Sequence, residues 1–125
     1  MLLCDAFVKA ASRNHTDILK ALLNHGMDAN IKNRDGWTAL IEASCKGNDE
    51  SIRLLLNYHV DLNLAINNWT PLIYASKYGH IETFHLLFSH GADVDFKTKG
   101  GLTVFDFAKT EQVKAILQSN SYVLK

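Results

Sequence analysis

Two stretches, DGWTALIEASCKGNDESIRLLLNYHVDLN from Asp35 to Asn63 and NNWTPLIYASKYGHIETFHLLFSHGADVD from Asn67 to Asp95, carry one pattern of apolar, glycine and turn residues at an offset of 32. The pattern continues outward on both sides. Thr38-Ala39-Leu40, Thr70-Pro71-Leu72 and Thr103-Val104-Phe105 recur at intervals of 32 and 33. Asp28, Asp61 and Asp93 recur at 33 and 32, each followed two residues later by Asn30, Asn63 or Asp95. Asn14, Gly47 and Gly79 form a third series, and Leu22-Leu23, Leu55-Leu56 and Leu87-Phe88 a fourth. Series that agree in phase are the signature of a repeat architecture, in which each unit is one supersecondary element.

The recurring residues each have a local reason. Thr38, Thr70 and Thr103 precede apolar-periodic segments, where a hydroxyl caps the free amides of a first helix; Asp5 holds the matching place in the first repeat and is expected to cap in the same way. Pro71 stands at the first helical position, where its missing N–H costs nothing. Gly47 and Gly79 fit left-handed helix stops, and Asn14, next best tolerated there, replaces them in the first repeat. Gly26 and Gly91 end the second helices, while His59 takes that place in the second repeat at a modest backbone penalty. The second helices carry apolar faces, Ile18, Leu19, Leu22 and Leu23, then Ile52, Leu55 and Leu56, then Ile81, Phe84, Leu87 and Phe88. One repeat cannot bury such a face, so neighbours must cover each other.

The ends depart from the pattern. The first repeat begins directly at its first helix, with Lys9, Arg13 and Lys20 adding polarity. The last runs from Thr103 to Asn120 in 17 residues where Thr38 to His59 takes 21, a loss of four around Ala108–Gln112. Terminal repeats of a solenoid need an altered, polar outer face, so both ends are expected to be caps. The expectation is one complete domain, 1–125, with repeats at 1–32, 33–65, 66–97 and 98–125.

Composition narrows the function. The chain has 125 residues, 47% apolar and 21% charged, with 13 Lys+Arg against 13 Asp+Glu. Zero net charge offers no general attraction to nucleic acid or anionic membranes. Cys4 and Cys45 cannot form a disulfide framework, and no CxxC or Cys/His cluster suggests zinc. No stretch approaches the ~20 apolar residues of a membrane span, and Asp5 and Lys9 interrupt the apolar start before a signal peptide could form. A cytoplasmic, monomeric protein is expected, with no cofactor.

The two quoted stretches resemble the ankyrin repeat family, whose unit is a β-turn followed by two antiparallel helices. The likeness covers nearly the whole chain and implies an all-α solenoid of four ankyrin repeats with β-hairpin tips along one edge. It also implies a protein-binding surface on the turn tips and the exposed side of the first helices. Carried over by position, that surface contains Arg34, Asp35, Trp37, Cys45 and Lys46 in the second repeat. The third repeat gives Ile66, Asn67, Trp69, Lys77 and Tyr78; the first gives Ser12, Arg13 and Lys32, and the fourth Lys99, Gly100 and Leu102. Trp37 and Trp69 are expected to stack on one face and form, with Tyr78, an aromatic patch edged by Arg34, Lys46 and Lys77. Aromatic and Arg residues are enriched at binding hot spots. The alternative role for the tryptophans is to brace hairpin against hairpin. The family's His after Thr-Pro-Leu is replaced by Ile41, Ile73 and Asp106, which removes a turn hydrogen bond and is expected to leave the hairpins less rigid.

The other candidate chemistry is thin. Six histidines are spread along the repeat: His25 and His90 at helix ends, His15 and His80 after the turn residues, His59, and His85 on an exposed helix side. Structural roles are favoured over a zinc site, since no HExxH pattern occurs. No GxSxG, GxxxxGK[ST] or strand-borne GxGxxG is present, and Glu42 with Asp106 would need a pocket to act as paired acids. Cys45 beside Lys46 has a reactive reading through a lowered pKa, against an incidental small residue facing the groove. The resulting expectation is a non-catalytic module that holds a protein partner in its concave groove, as adaptor or inhibitor. The alternatives are a structural repeat segment of a larger chain or oligomer, or an effector of an intracellular microbe, the last fitting ten Lys against three Arg in an AT-rich manner.

Overall fold

The chain is described by a computed structural model over residues 2–108, together with 111, 114 and 115. Seven helices follow in order: α1 (Leu3–Ser12), α2 (Thr16–Asn24), α3 (Ala39–Lys46), α4 (Asp49–Leu56), α5 (Pro71–Tyr78), α6 (Ile81–Ser89) and α7 (Val104–Phe107). The Thr38 and Thr70 hydroxyls accept from the N–H groups of Ile41 and Ile73 at 3.2 and 3.3 Å, the capping expected of them. Thr103 and Asp106 close a reciprocal capping box, so Asp106 restores at the last repeat a turn hydrogen bond that the missing family histidine was expected to remove. The left-handed stops stand at Gly47 and Gly79, with φ of 70° and 72°. Asn14 and His59 adopt φ of 57° and 59°, the backbone penalty anticipated where glycine is absent.

Asp5 departs from its expected role. The helix α1 starts at Leu3 after an extended Leu2, and Asp5 falls within the first turn. Its carboxylate, mostly buried, accepts the Arg34 backbone N–H at 3.1 Å and pairs with the Arg34 guanidinium at 2.6 Å. The first helix therefore anchors the tip of the second repeat's hairpin.

Helices α1, α3, α5 and α7 stack as one row, and α2, α4 and α6 as a second row behind it. Phe7, Leu19, Leu40, Ile52, Leu55, Leu72, Phe84, Leu87 and Val104 lie fully buried between the rows. Each such side chain contributes roughly 1.5–3 kcal/mol through the water it excludes. Ile18, read as part of an apolar face, is instead 48% exposed. The matching places in later repeats are Ser51 and Thr83, buried hydroxyls that donate back to Asn14 and Asp49 of the repeat before. Among the described residues no repeat lies on that side of Ile18. Leu2 and Leu3 are exposed as well, so the first repeat's surface is partly apolar.

Hydrogen bonds along the edge explain the Asp-x-Asn recurrence. Asp28, Asp61 and Asp93 each accept, through a side-chain oxygen, the backbone N–H two residues on. Asn30 Oδ1 then accepts the Asp61 N–H at 2.6 Å, and Asn63 Oδ1 the Asp93 N–H at 2.9 Å. A second ladder crosses at the helix turns. The Asn48 amide donates to the carbonyls of Ala11 and Ser12, and His80 Nε2 lies 2.8 Å from the Cys45 carbonyl. The hairpin tips hold isolated bridges, Lys32 with Thr38 and Ile66 with Trp69, rather than full strands. Lys109, Thr110 and Gln112 of the shortened stretch, and the expected helix end at Asn120, lie outside the described residues.

Candidate functional site

The concave surface is built from the hairpin tips and the outward side of the α1–α3–α5–α7 row. The place four residues after Thr38, Thr70 and Thr103, and after Asp5 at the matching place in the first repeat, sets its character, because it lies one helical turn into the first helix of each repeat. That place is Lys9 in the first repeat, then Glu42, Tyr74 and Phe107. The groove is consequently charged at one end and aromatic at the other.

At the aromatic end the two tryptophans do not meet each other. Tyr74 stands between them, its ring centroid 5.8 Å from Trp37 and 5.2 Å from Trp69, and Trp69 continues to Phe107 at 4.6 Å. Ile41 and Ile66 are buried beneath this row, and the Tyr74 hydroxyl donates to the Ile66 carbonyl at 3.3 Å. Ile41 and Ile73, both fully buried, give the hairpins apolar support where the family histidine would supply a polar contact. Tyr78, expected among the tryptophans, is set apart at the end of α5, 51% exposed, with His80 as its ring neighbour at 6.5 Å. Asn67 and Asn68 adopt φ of 54° and 67° at the tip of a two-residue hairpin, a conformation that Asn tolerates.

At the charged end, Asp5, Lys9, Arg13, Arg34, Glu42 and Lys46 line, with Asp35, a cleft of about 420 Å³. Lys46 Nζ donates to the Ser12 hydroxyl at 2.7 Å. Arg34 is held by Asp5, and among the described residues Lys9, Arg13 and Lys46 form no ion pair. Cys45, like the two tryptophans, packs against the buried cluster of Ile41, Ile66 and Tyr74. Burial, with Glu42 adding to it, pushes its thiol up to about 12, and the opposing pull of Lys46 does not compensate. The reactive reading of Cys45 called for a lowered pKa, and the shift runs the other way. Burial likewise pushes the Tyr74 phenol up to about 12.

The ten residues read as the binding surface thus fall into groups. Arg34, Asp35 and Lys46 share the charged cleft. Trp37 and Trp69 join through Tyr74 and are half-buried. Lys77 and Tyr78 end α5, and exposed Asn67, Lys99 and Leu102 lie on the third and fourth hairpins. The residues missed were Asp5, Lys9, Glu42, Tyr74 and Phe107, and the signal that finds the last three is their fixed spacing from the threonine caps. His25 and His90 satisfy carbonyls of their own helices, Ala21 and Leu86, through Nδ1. Among the described residues no three His, Cys, Asp or Glu side chains gather as metal ligands would. No helix among them is long and apolar enough to cross a membrane.

Known proteins carry the same pattern in part. Residues 5–98 match the family model for ankyrin repeats in three copies. The mouse (Mus musculus) protein phosphatase 1 regulatory subunit 12A is 42% identical over 53 residues, 42% of this chain and 5% of that protein. The human (Homo sapiens) mitochondrial disaggregase is 39% identical over 60 residues, 48% of this chain and 8% of that protein. Human BCL-6 corepressor-like protein 1 is 43% identical over 60 residues, 48% of this chain and 3% of that protein. The chain thus spans under a tenth of each relative's length, and the likeness is to their repeats. With the paired helices, the capped hairpins and the Asp-x-Asn ladder in place, the chain belongs to the ankyrin repeat family.

Proposed function

We propose that this chain is a non-catalytic protein-interaction module that holds a partner in its concave groove, acting as adaptor or inhibitor. One observation carries the reading. The polar residues at the repeat boundaries are engaged in holding repeat to repeat, whereas the side chains of Lys9, Arg13, Asp35 and Lys77 in the groove form no hydrogen bond or ion pair among the described residues, and Tyr78 is half exposed beside His80. Ankyrin repeats serve generally as protein-binding scaffolds, and the relatives named as a regulatory subunit and a corepressor-like protein accord with that use. The proposed contact set is Arg34, Asp35, Trp37, Lys46, Asn67, Trp69, Lys77, Tyr78, Lys99 and Leu102, with Tyr78 and Lys46 as the exposed anchors and the tryptophans as half-buried supports. The unit is proposed to act as a cytoplasmic monomer of four repeats over 1–125, its first and last repeats closing the stack.

A second reading has its own observation. Leu2, Leu3 and Ile18 leave the first repeat's outer side partly apolar, which suits a repeat segment that continues against another element. Affinity capture separates the two. The wild type, Tyr78→Ala with Lys46→Ala, and the back-face pair Arg53→Ala with His85→Ala would be compared for the proteins retained. The groove reading expects the first pair to lose a partner that the back-face pair keeps. Equal retention by both pairs, with loss on Ile18→Asp, would favour the segment.

A further inference from the structure

The charge of the groove differs from that of the chain. By repeat position, Lys9, Arg13, Arg34, Lys46, Lys77 and Lys99 face it against Asp5, Asp35 and Glu42, whereas the whole chain balances 13 cations with 13 carboxylates. The remaining surface is therefore net acidic. Within the groove one carboxylate, Asp5, is committed to Arg34, and Lys46 is held by a neutral hydroxyl. The charges left unpaired are five cations, Lys9, Arg13, Lys46, Lys77 and Lys99, against two carboxylates, Asp35 and Glu42, and a concave cleft with an excess of one sign concentrates ligands of the other. Along the groove, the ends of α1, α3 and α5 place Arg13, Lys46 and Tyr78 at equivalent positions, two cations followed by an exposed aromatic.

We propose that the groove's occupant is an acidic, extended segment of a partner protein, with carboxylates on Arg13 and Lys46 and an apolar side chain on Tyr78. This rests on the groove being the interface. Neighbouring helices of a row lie about 8–10 Å apart, and an extended chain advances about 3.3 Å per residue. The three anchors then fall about three residues apart, an acidic residue, a second acidic residue, then an aromatic or aliphatic one. A nucleic-acid strand suits the site less well, because Asp35 and Glu42 in the cleft repel a uniformly charged phosphate backbone.

Selection of phage-displayed random dodecapeptides on the immobilised full chain tests this. The expected result is enrichment of Asp and Glu at a spacing of about three ahead of an apolar residue. A synthetic copy of the leading peptide, followed by fluorescence anisotropy, should weaken at least about tenfold with Arg13→Glu and Lys46→Glu and weaken with added salt. Circular dichroism on these exposed-site variants keeps binding loss apart from unfolding. Selection of basic or neutral peptides that are lost on Tyr78→Ala would overturn the acidic occupant and leave the groove standing. Acidic peptides indifferent to both groove changes would overturn the groove as well. Absence of any enriched peptide, or tighter binding of an oligothymidylate, would overturn the proposal outright.

Discussion

His80 closes on the preceding repeat at two points: its Nε2 lies 2.8 Å from the Cys45 carbonyl, and its Nδ1 would lie 2.9 Å from a Cβ built on Gly47. The turn that ends α3 therefore needs glycine twice over, for a φ of 70° and for room beside the ring. Gly47→Ala should destabilise the chain by about 1–3 kcal/mol, read as a lower urea midpoint. His80→Ala should cost about 1 kcal/mol for the lost bond. The double change should cost less than the two together, because removing the ring relieves the contact. Strict additivity would show that the ring and the turn do not meet.

The Asn30 and Asn63 bonds make a second prediction. Asn30→Ala removes the acceptor of the Asp61 N–H and should cost about 1 kcal/mol, with faster hydrogen exchange at that amide. Asp95 holds the same place in the last ladder step, but its side chain receives no bond from a following repeat among the described residues. Asp95→Ala should stay within about 0.5 kcal/mol of the wild type. Equal costs would mean that the asparagines act within their own turns and not between repeats.

The aromatic row predicts a division between two tyrosines of one helix. Tyr74, 6% exposed between Trp37 and Trp69, should cost about 3 kcal/mol on change to alanine and shift the tryptophan emission to longer wavelength. Tyr78→Ala, half exposed, should cost under about 1 kcal/mol and leave the emission unchanged. A reversed order would place the brace at Tyr78.

Cys45 predicts a pH effect. Its folded thiol is pushed from an ordinary 9.0 up to about 12, mainly by burial, so the unfolded chain loses that proton first as pH rises. Tyr74 acts in the same direction, from 10.0 to about 12. Stability should therefore be intact below about pH 9 and fall between there and about 12. Cys45→Ala should flatten the first part of the fall, as followed by the urea midpoint at stepped pH. In the native protein near neutral pH, Cys45 should resist a thiol reagent until the chain unfolds. Rapid native labelling at Cys45 would contradict the burial.

What could be read from sequence was what is decided locally. A threonine cap, a proline at the first helical position and a glycine at a left-handed stop each satisfy backbone groups within a few residues, so Thr38, Pro71 and Gly79 stood out and kept their roles. The Asp-x-Asn period was visible, but its purpose was not, because the acceptor of one repeat meets a donor of the next. The same distance hid the exposure of Ile18, whose later counterparts Ser51 and Thr83 are covered by the preceding repeat, a cover that Ile18 does not have among the described residues. Asp5 was misread because its partner, Arg34, stands in the next repeat. Tyr74 went unread because its partners, Trp37 and Trp69, come from two different hairpins, a meeting that the spacing from Thr70 does not by itself reveal.

The groove as interface is tested most directly by following backbone amide signals in nitrogen–proton correlation spectra while a captured partner segment is added. The reading predicts the largest shifts at Arg13, Lys46, Lys77 and Tyr78 and at the Trp69 indole, with Lys20, Arg53 and His85 on the opposite side unmoved. Shifts gathered on α2, α4 and α6 around Arg53 and His85, with the groove signals still, would contradict it.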